Sequence, residues 1–434
     1  MLEKTKSMEK SVGEAAPKSS VALKEAVSPA GIPFWLVEDY AVPVVSVEFA
    51  CEGGAAHDDD GKEGLAEMTA ALLDEGAGDL ESTAFHEAID DSAIELGFHA
   101  DRDHLGGRLR TLARHLDEAE RLFALALNAP RFDQEPIDRV REQMGAKLRH
   151  ESKDPGAMAT RAWRERVFAG HPYARPADGT LESLQRVGRA DVVARAKALI
   201  TRQRLKIAVV GALRAERAGV LVDKAFASLP ATGAPPALAP PPFHGLGARE
   251  TLDLDVPQTT IRFGRPSLMR DDPDFIAGLV VMHVLGGGNL TSRLFREVRE
   301  KRGLAYSVSA STHASELTSY VYGGTTTKNE RAYESMGVIE DEIRDLANGG
   351  LQREEFEKGK TFLIGSYPLR FDTSNKIANQ LVNIQREGRA ANWLNERNRL
   401  IAAVTLEDAR RAAARIFGDG AMMVSMVGRP VAPA

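Results

Sequence analysis

The 434-residue sequence is poor in several features that usually announce a function. It has one cysteine, Cys51, so an intramolecular disulfide and any multi-cysteine metal site are excluded. Cys51 is the second-to-last residue of an apolar strand pattern, a setting for a small core side chain rather than a nucleophile. No apolar run approaches the ~18 residues needed to cross a bilayer. The first residues, MLEKTKSMEKSVGEAAPKSSVALKEAV, lack the continuous apolar core of a secretion signal. The chain therefore reads as cytoplasmic, or as periplasmic if such a signal has been removed. No G-x-S-x-G elbow is present for a serine hydrolase. There is no excess of basic charge either: 56 Lys and Arg against 62 Asp and Glu leave a formal net charge of -6. Nucleic acid is thus offered no basic face.

What is present is the balance of a soluble globular protein, 43% hydrophobic and 27% charged. At this length about two to four domains are expected. Residues 1–28 are polar and charged and read as a mobile arm. IPFWLVED and VPVVSVEFAC read as two strands separated by a turn at Tyr40–Pro43. The loop EGGAAHDDDGKEG follows, with Asp58–Asp60 as a solvated acidic turn. GLAEMTAALLDEGAG then reads as a helix starting after Gly64, with Leu65, Met68 and Leu72 at i, i+3 and i+7 on one apolar face.

The strongest interruption is residues 231–248, ATGAPPALAPPPFHGLGA, where prolines favour an extended spacer. It separates a domain at 29–230 from one at 249–434. Each half repeats one plan, in which strands lead to a Gly–Leu helix start (Gly64–Leu65, then Gly278–Leu279), a glycine-rich break, and further strands and helices. A duplicated α+β architecture follows. In the second half Gly286, Gly287 and Gly288 precede a helix, LTSRLFREVREK, stopped by Gly303, and then a strand, LAYSVSAS. GGGN matches neither a Walker loop nor G-x-G-x-x-G, so it is no nucleotide site.

The histidines offer no pair at i, i+4 on a helix. His99 and His104 lie five apart after a strand-like run, while His86, His115, His150 and His283 are isolated. Arg299 falls in the last turn before Gly303, and Tyr306 seven residues on, in the strand. A helix-to-strand turn of that length can bring a guanidinium and a phenol together. Two readings stay open on spacing alone: a solvated basic face (Arg296 to Arg302) with Tyr306 as a core aromatic beside Leu304 and Val308, or a site.

Several segments together resemble the pitrilysin and mitochondrial-processing-peptidase family, the inverzincins. HPYARPADGTLESL (171–184) is similar to its HPY-x-x-P-x-x-GT-x-E-S stretch, and IAVVGAL and FASLP to the end of its first half. VLGGGNLTSRLFREVREKRGLAYSVSAS (284–311) resembles its most recognisable run. The resemblance covers about residues 30–430 in order, and it implies two homologous halves, each a mainly antiparallel sheet packed with helices, closing a clam-like chamber with a partner. Active members carry H-x-x-E-H, whose histidines share a helix face and hold zinc beside a general-base glutamate. The matching positions here are Glu67, Ala70 and Ala71, and the downstream glutamate ligand falls at Ala146 or Lys147.

The resemblance thus implies a metal-free subunit, with no cofactor of its own and zinc in a homologous H-x-x-E-H partner. It implies that Arg299 and Tyr306 bind peptide and stabilise an oxyanion. Gly286–Gly288 reads equally as a flexible break or, by that resemblance, as a loop contacting incoming peptide. The other class of function is a non-catalytic scaffold or peptide-binding subunit, like the core proteins of respiratory cytochrome bc complexes.

Overall fold

The computed structural model describes residues 21–233 and 235–432. The β-branched and aromatic runs condense into two sheets. The first holds β1 (Leu23–Val27), β2 (Pro33–Glu38), β3 (Val44–Glu52), β4 (Glu95–Ala100), β5 (His104–Leu112) and β6 (Lys206–Gly211), in the order β1-β2-β6-β3-β5-β4. The second holds β7 (Arg249–Asp253), β8 (Gln258–Pro266), β9 (Ala305–Ala314), β10 (Ser319–Lys328) and β11 (Met423–Gly428), in the order β7-β11-β8-β10-β9. With β1 set aside, the two orders correspond strand for strand. The senses agree as well. β6 runs parallel to β2 as β11 runs parallel to β7, and the other neighbouring pairs are antiparallel. A repeat that is faint in the residues is explicit in this topology, which is α+β with two mainly antiparallel sheets.

β1 lies inside the stretch read as a mobile arm. Residues 1–20 of that stretch are outside the described residues, but Leu23–Val27 pairs antiparallel with β2. Leu23 packs on the cluster around Trp35, whose other members, Ala208 and Ile377 among them, are distant in sequence. Gly278 is another difference. It sits inside the helix Phe275–Met282 rather than at its start, where a Cβ would lie 3.0 Å from Ile416 Cδ1. Glycine is there for close helix packing. Cys51 is fully buried on β3, and burial pushes its thiol up to about 12. None of the described helices is long and apolar enough to cross a membrane.

Each sheet has one face on the core of its own half and one face covered from the other half. The helix Pro155–Val167 packs across β8 and β11, while Ser374–Arg386 packs across β3 and β6, the corresponding strands. On the second sheet Trp163 is 1% exposed, donates from Nε1 to the Met423 carbonyl at 3.0 Å, and meets Tyr322 at 4.9 Å between ring centres. Gly264 of β8 admits the indole, since a Cβ there would lie 2.5 Å from Trp163 Cζ2. On the first sheet Ile377, Leu381 and Ile384 bury against Trp35, Ala208 and Val210.

The described part of the Pro-rich segment has no regular secondary structure, yet it is fastened down. His57 Nε2 donates to the Pro236 carbonyl at 3.1 Å and His171 Nε2 to that of Ala239 at 2.9 Å. Phe243 meets the Trp163 ring at 6.0 Å. At the far side, Arg386 pairs with Asp101 at 2.6 Å and His104 Nε2 reaches Glu316 at 2.9 Å, again joining the halves.

If each half completes the other, Trp163→Ala destabilises the whole chain by about 3–5 kcal/mol. Urea unfolding followed by fluorescence and circular dichroism then shows one cooperative transition at lower urea. Loss of only one of two resolved transitions would contradict the interlock.

Candidate functional site

The helix Leu65–Ala71 is held at its N-terminus from outside. Asp58 accepts hydrogen bonds from the Gly64 and Ala66 amides, each at 3.0 Å, with Arg195 at 3.8 Å. Asp58 is 3% exposed, so it is no solvated turn residue. A helix N-terminus presents unsatisfied N–H groups and a positive dipole end, and a carboxylate answers both. The 171–184 stretch braces the same entry: Ser183 Oγ donates to the Glu63 carbonyl at 2.7 Å. Gly64 and Gly179 sit at φ +91° and +82°, and a Cβ on either would strike backbone, of Asp178 and Glu63 respectively.

The helix Leu65–Ala71 packs on Gln134–Glu151, and of the two positions the sequence left open, Lys147 is the one that reaches Glu67. Lys147 Nζ lies 3.8 Å from Glu67 Oε1 and 3.2 Å from Asp178 Oδ1. Burial and then the Asp178 charge raise the Glu67 carboxyl above its usual range, and Lys147 opposes them. Burial works against the Lys147 ammonium, but Asp178 and Glu67 outweigh it and raise its pKa. Glu67 is thus not an ordinary helix-face carboxylate but one arm of a carboxylate–ammonium–carboxylate cluster. Zinc needs about four lone-pair donors. Ala70 and Ala71 have none, and an ammonium stands between the two carboxylates, so these residues do not fit a metal. Among the described residues no group of three or more His, Cys, Asp or Glu side chains is arranged to hold one. Asp178 escaped the sequence reading; its place just before Gly179–Thr180 in the 171–184 motif was the available signal.

In the second half Arg299 and Tyr306 are together. The Arg299 guanidinium carbon lies 4.4 Å from the Tyr306 ring centre and 4.8 Å from that of Phe295, a cation held between two aromatic faces. Two backbone irregularities meet here. The expected regular helix is a 3₁₀ turn, Asn289–Thr291, followed by a π-helical turn, Phe295–Glu300. Its signature is the Lys301 amide bonded to the Arg296 carbonyl, five residues back, at 2.9 Å. β9 then begins at Ala305, so Tyr306 is its second residue, and it carries a bulge. Val308 faces Thr325, but Ala305 faces Thr327. In an unbroken ladder Tyr306 would occupy the place opposite Thr327 and point to the core with Val308. The extra residue moves it out. Tyr306 is 80% exposed, whereas Leu304 and Val308 are buried. It is not a core aromatic.

Nor is Arg299 simply one cation of a solvated face. Arg296, Lys301 and Arg302 all turn to Glu297, at 3.2, 2.7 and 2.9 Å. Although burial opposes it, these partners hold the Glu297 carboxyl down at about 2. Arg293, 4% exposed, is held by Glu355 at 3.0 Å, Asp345 at 2.5 Å and the Gly350 carbonyl at 2.6 Å. Among the described residues, Arg299 alone of this basic run has no carboxylate partner.

The glycines divide. Gly286 is buried in the π-helical turn His283–Gly287, and a Cβ there would lie 2.4 Å from the Ala310 amide nitrogen, so it serves packing against β9. Gly287 is exposed and Gly288 half-buried, which leaves those two accessible. Among the described residues no hydrogen bond, ion pair or ring contact joins Arg299 or Tyr306 to Glu67 or Lys147.

Two outcomes follow from the Lys147 cluster. The triple variant Glu67→His, Ala70→Glu, Ala71→His should stay without zinc while Lys147 remains, and should take up close to one equivalent once Lys147→Glu is added. Metal analysis after zinc dialysis checks this; uptake by the triple variant would show that the ammonium is not the obstacle. Lys147→Met leaves Glu67 facing Asp178 without a cation, which raises the Glu67 folded-state pKa further above its unfolded one. The folded state then binds more protons than the unfolded. Stability should fall more steeply than in the parent as pH rises from about 5 to 8, read as urea midpoints.

A family model described as the Peptidase M16 inactive domain matches residues 186–363. The non-peptidase homolog YmxG of Helicobacter pylori is 27% identical over 369 residues, which is 84% of each chain. An uncharacterized zinc protease of Mycobacterium tuberculosis is 25% identical over 411 residues, 93% of this chain and 92% of its own length. Among solved structures, a peptidase M16 inactive domain from Pseudomonas fluorescens shares the fold with a TM-score of 0.89 at 24% identity, covering 95% of this chain and 99% of that one. A protease from Helicobacter pylori does so at 0.85 and 17%, covering 94% and 99%. These similarities span nearly the full chain: it shares the fold of M16 inactive-domain structures, and its residues 186–363 match the Peptidase M16 inactive domain.

Proposed function

We propose that this chain is the non-metal-binding subunit of a heterodimeric zinc peptidase, completing the active site of a homologous H-x-x-E-H subunit. The observation that carries the reading is the contrast between the two halves. At the positions matching the family's metal site an ammonium lies by two carboxylates, whereas Arg299 and Tyr306 face outward at two backbone irregularities, with no carboxylate partner among the described residues. A guanidinium and a phenol O–H, held rigidly and facing outward, suit a developing oxyanion on a peptide carbonyl. In this scheme the partner supplies zinc and the general base. Peptide adds as a strand along a sheet edge of the partner's catalytic half, with affinity from backbone hydrogen bonds. Arg299 and Tyr306 hold the scissile carbonyl, and Gly287 and Gly288 offer backbone that a peptide can approach closely.

A scaffold role is the second reading, favoured by the name non-peptidase homolog of the Helicobacter relative. The two readings separate on one experiment. Mixed with its H-x-x-E-H homologue, the chain should form a complex that cleaves unfolded peptides. Arg299→Ala and Tyr306→Phe should each lower turnover by roughly 10²-fold, as removal of one oxyanion donor does, without dissociating the complex. A complex whose turnover ignores both substitutions supports the scaffold.

A further inference from the structure

We infer that Thr325 and Thr327 of β10 are positioning residues that hold Tyr306 beside Arg299 by fastening the β9 bulge. The inference rests on the reading of Arg299 and Tyr306 as a substrate-holding pair. A bulge breaks the ladder and leaves main-chain groups without strand partners. Here two carbonyls flanking Tyr306 are met by side chains. Thr325 Oγ1 donates to the Ser307 carbonyl at 2.7 Å, and Thr327 Oγ1 donates to the Leu304 carbonyl at 2.6 Å. The two hydroxyls bracket the displaced residue, one on each side.

Both threonines are buried, at 3% and 1% exposure, so water cannot replace them at those carbonyls. Thr327 is itself approached by Ser335 Oγ at 3.4 Å, from the helix Ala332–Ala347. Ser335, Thr327 and the Leu304 carbonyl thus form a short chain from a core helix to the residue where β9 begins. The π-helical side of the turn joins the same point, because the Leu304 amide bonds to the Val298 carbonyl at 2.8 Å. Leu304 is therefore held through both its polar backbone atoms, between the two irregularities that aim Arg299 and Tyr306. Valine at 325 or 327 keeps the shape and strand preference of threonine but removes the hydroxyl. The bulge then loses its fasteners, and an unbroken ladder turns Tyr306 toward the core.

The test reads Tyr306 directly in the purified chain. Nitration by tetranitromethane, mapped by peptide mass, is compared at Tyr306 and at Tyr40, an exposed tyrosine of the first half. In Thr325→Val/Thr327→Val the Tyr306 rate should fall about threefold or more relative to Tyr40, as expected when a bulge no longer re-aims its side chain. Thr327→Ser should keep the parent rate. In the two-subunit complex the valine variant should lose about tenfold or more in kcat with KM within about twofold, as a misaimed group does. Should the double variant not fold, Thr325→Val alone gives the same comparison. Unchanged nitration in a folded valine variant overturns the positioning role. Reduced nitration with turnover unaffected, in a complex that also ignores Tyr306→Phe, leaves the positioning intact and overturns the substrate-holding reading instead.

Discussion

The exchange of one helix between the halves is the constraint on which the rest of the molecule depends. A sheet with both faces apolar must be covered on both, and neither half covers its own outer face. Pro155–Val167 crosses the second sheet and Ser374–Arg386 crosses the first, at corresponding strands. Trp163 and Leu381 are buried in the two contacts, at 1% and 0% exposure. Because the halves are locked in this way, the Lys147 cluster and the outward pair are carried on one frame. The Pro-rich connection, fastened through His57 and His171, follows that frame rather than hinging it.

On this frame the charges next to the outward pair are closely matched. The buried Arg293 is enclosed by Glu355 and Asp345. The buried Glu297 collects Arg296, Lys301 and Arg302. Pairing of this kind is what makes burial of charge tolerable. Beside these neighbours, the Arg299 guanidinium, stacked on two rings and facing no carboxylate, differs from the rest of its basic run.

Much of this was legible in the sequence, and the rest was hidden for physical reasons. The linker, the two-half plan and the loss of donors at Ala70 and Ala71 are local facts about residue type, and the structure agrees with the fold they imply. What failed depended on distant contacts. β1 is polar in sequence and is recruited by Trp35 and its neighbours. Asp58 reads as a loop carboxylate until a helix N-terminus is placed over it. Strand periodicity assigns Tyr306 to the core, and a single extra residue in β9, opposite Thr325–Thr327, reverses the assignment. Gly286 looks like one of three equivalent glycines, yet the amide of Ala310 distinguishes it. Spacing cannot report a register that another strand decides.

The ammonium between Glu67 and Asp178 has one more consequence. A metal ion is a ligand with a concentration and a dissociation constant, and a fold that relies on it shares its fate when supply runs low or a chelator competes. A cation tethered to the chain has neither. The charge balance beneath the Leu65–Ala71 helix is therefore complete as soon as the chain folds, and it cannot be exchanged, poisoned by another metal or stripped away.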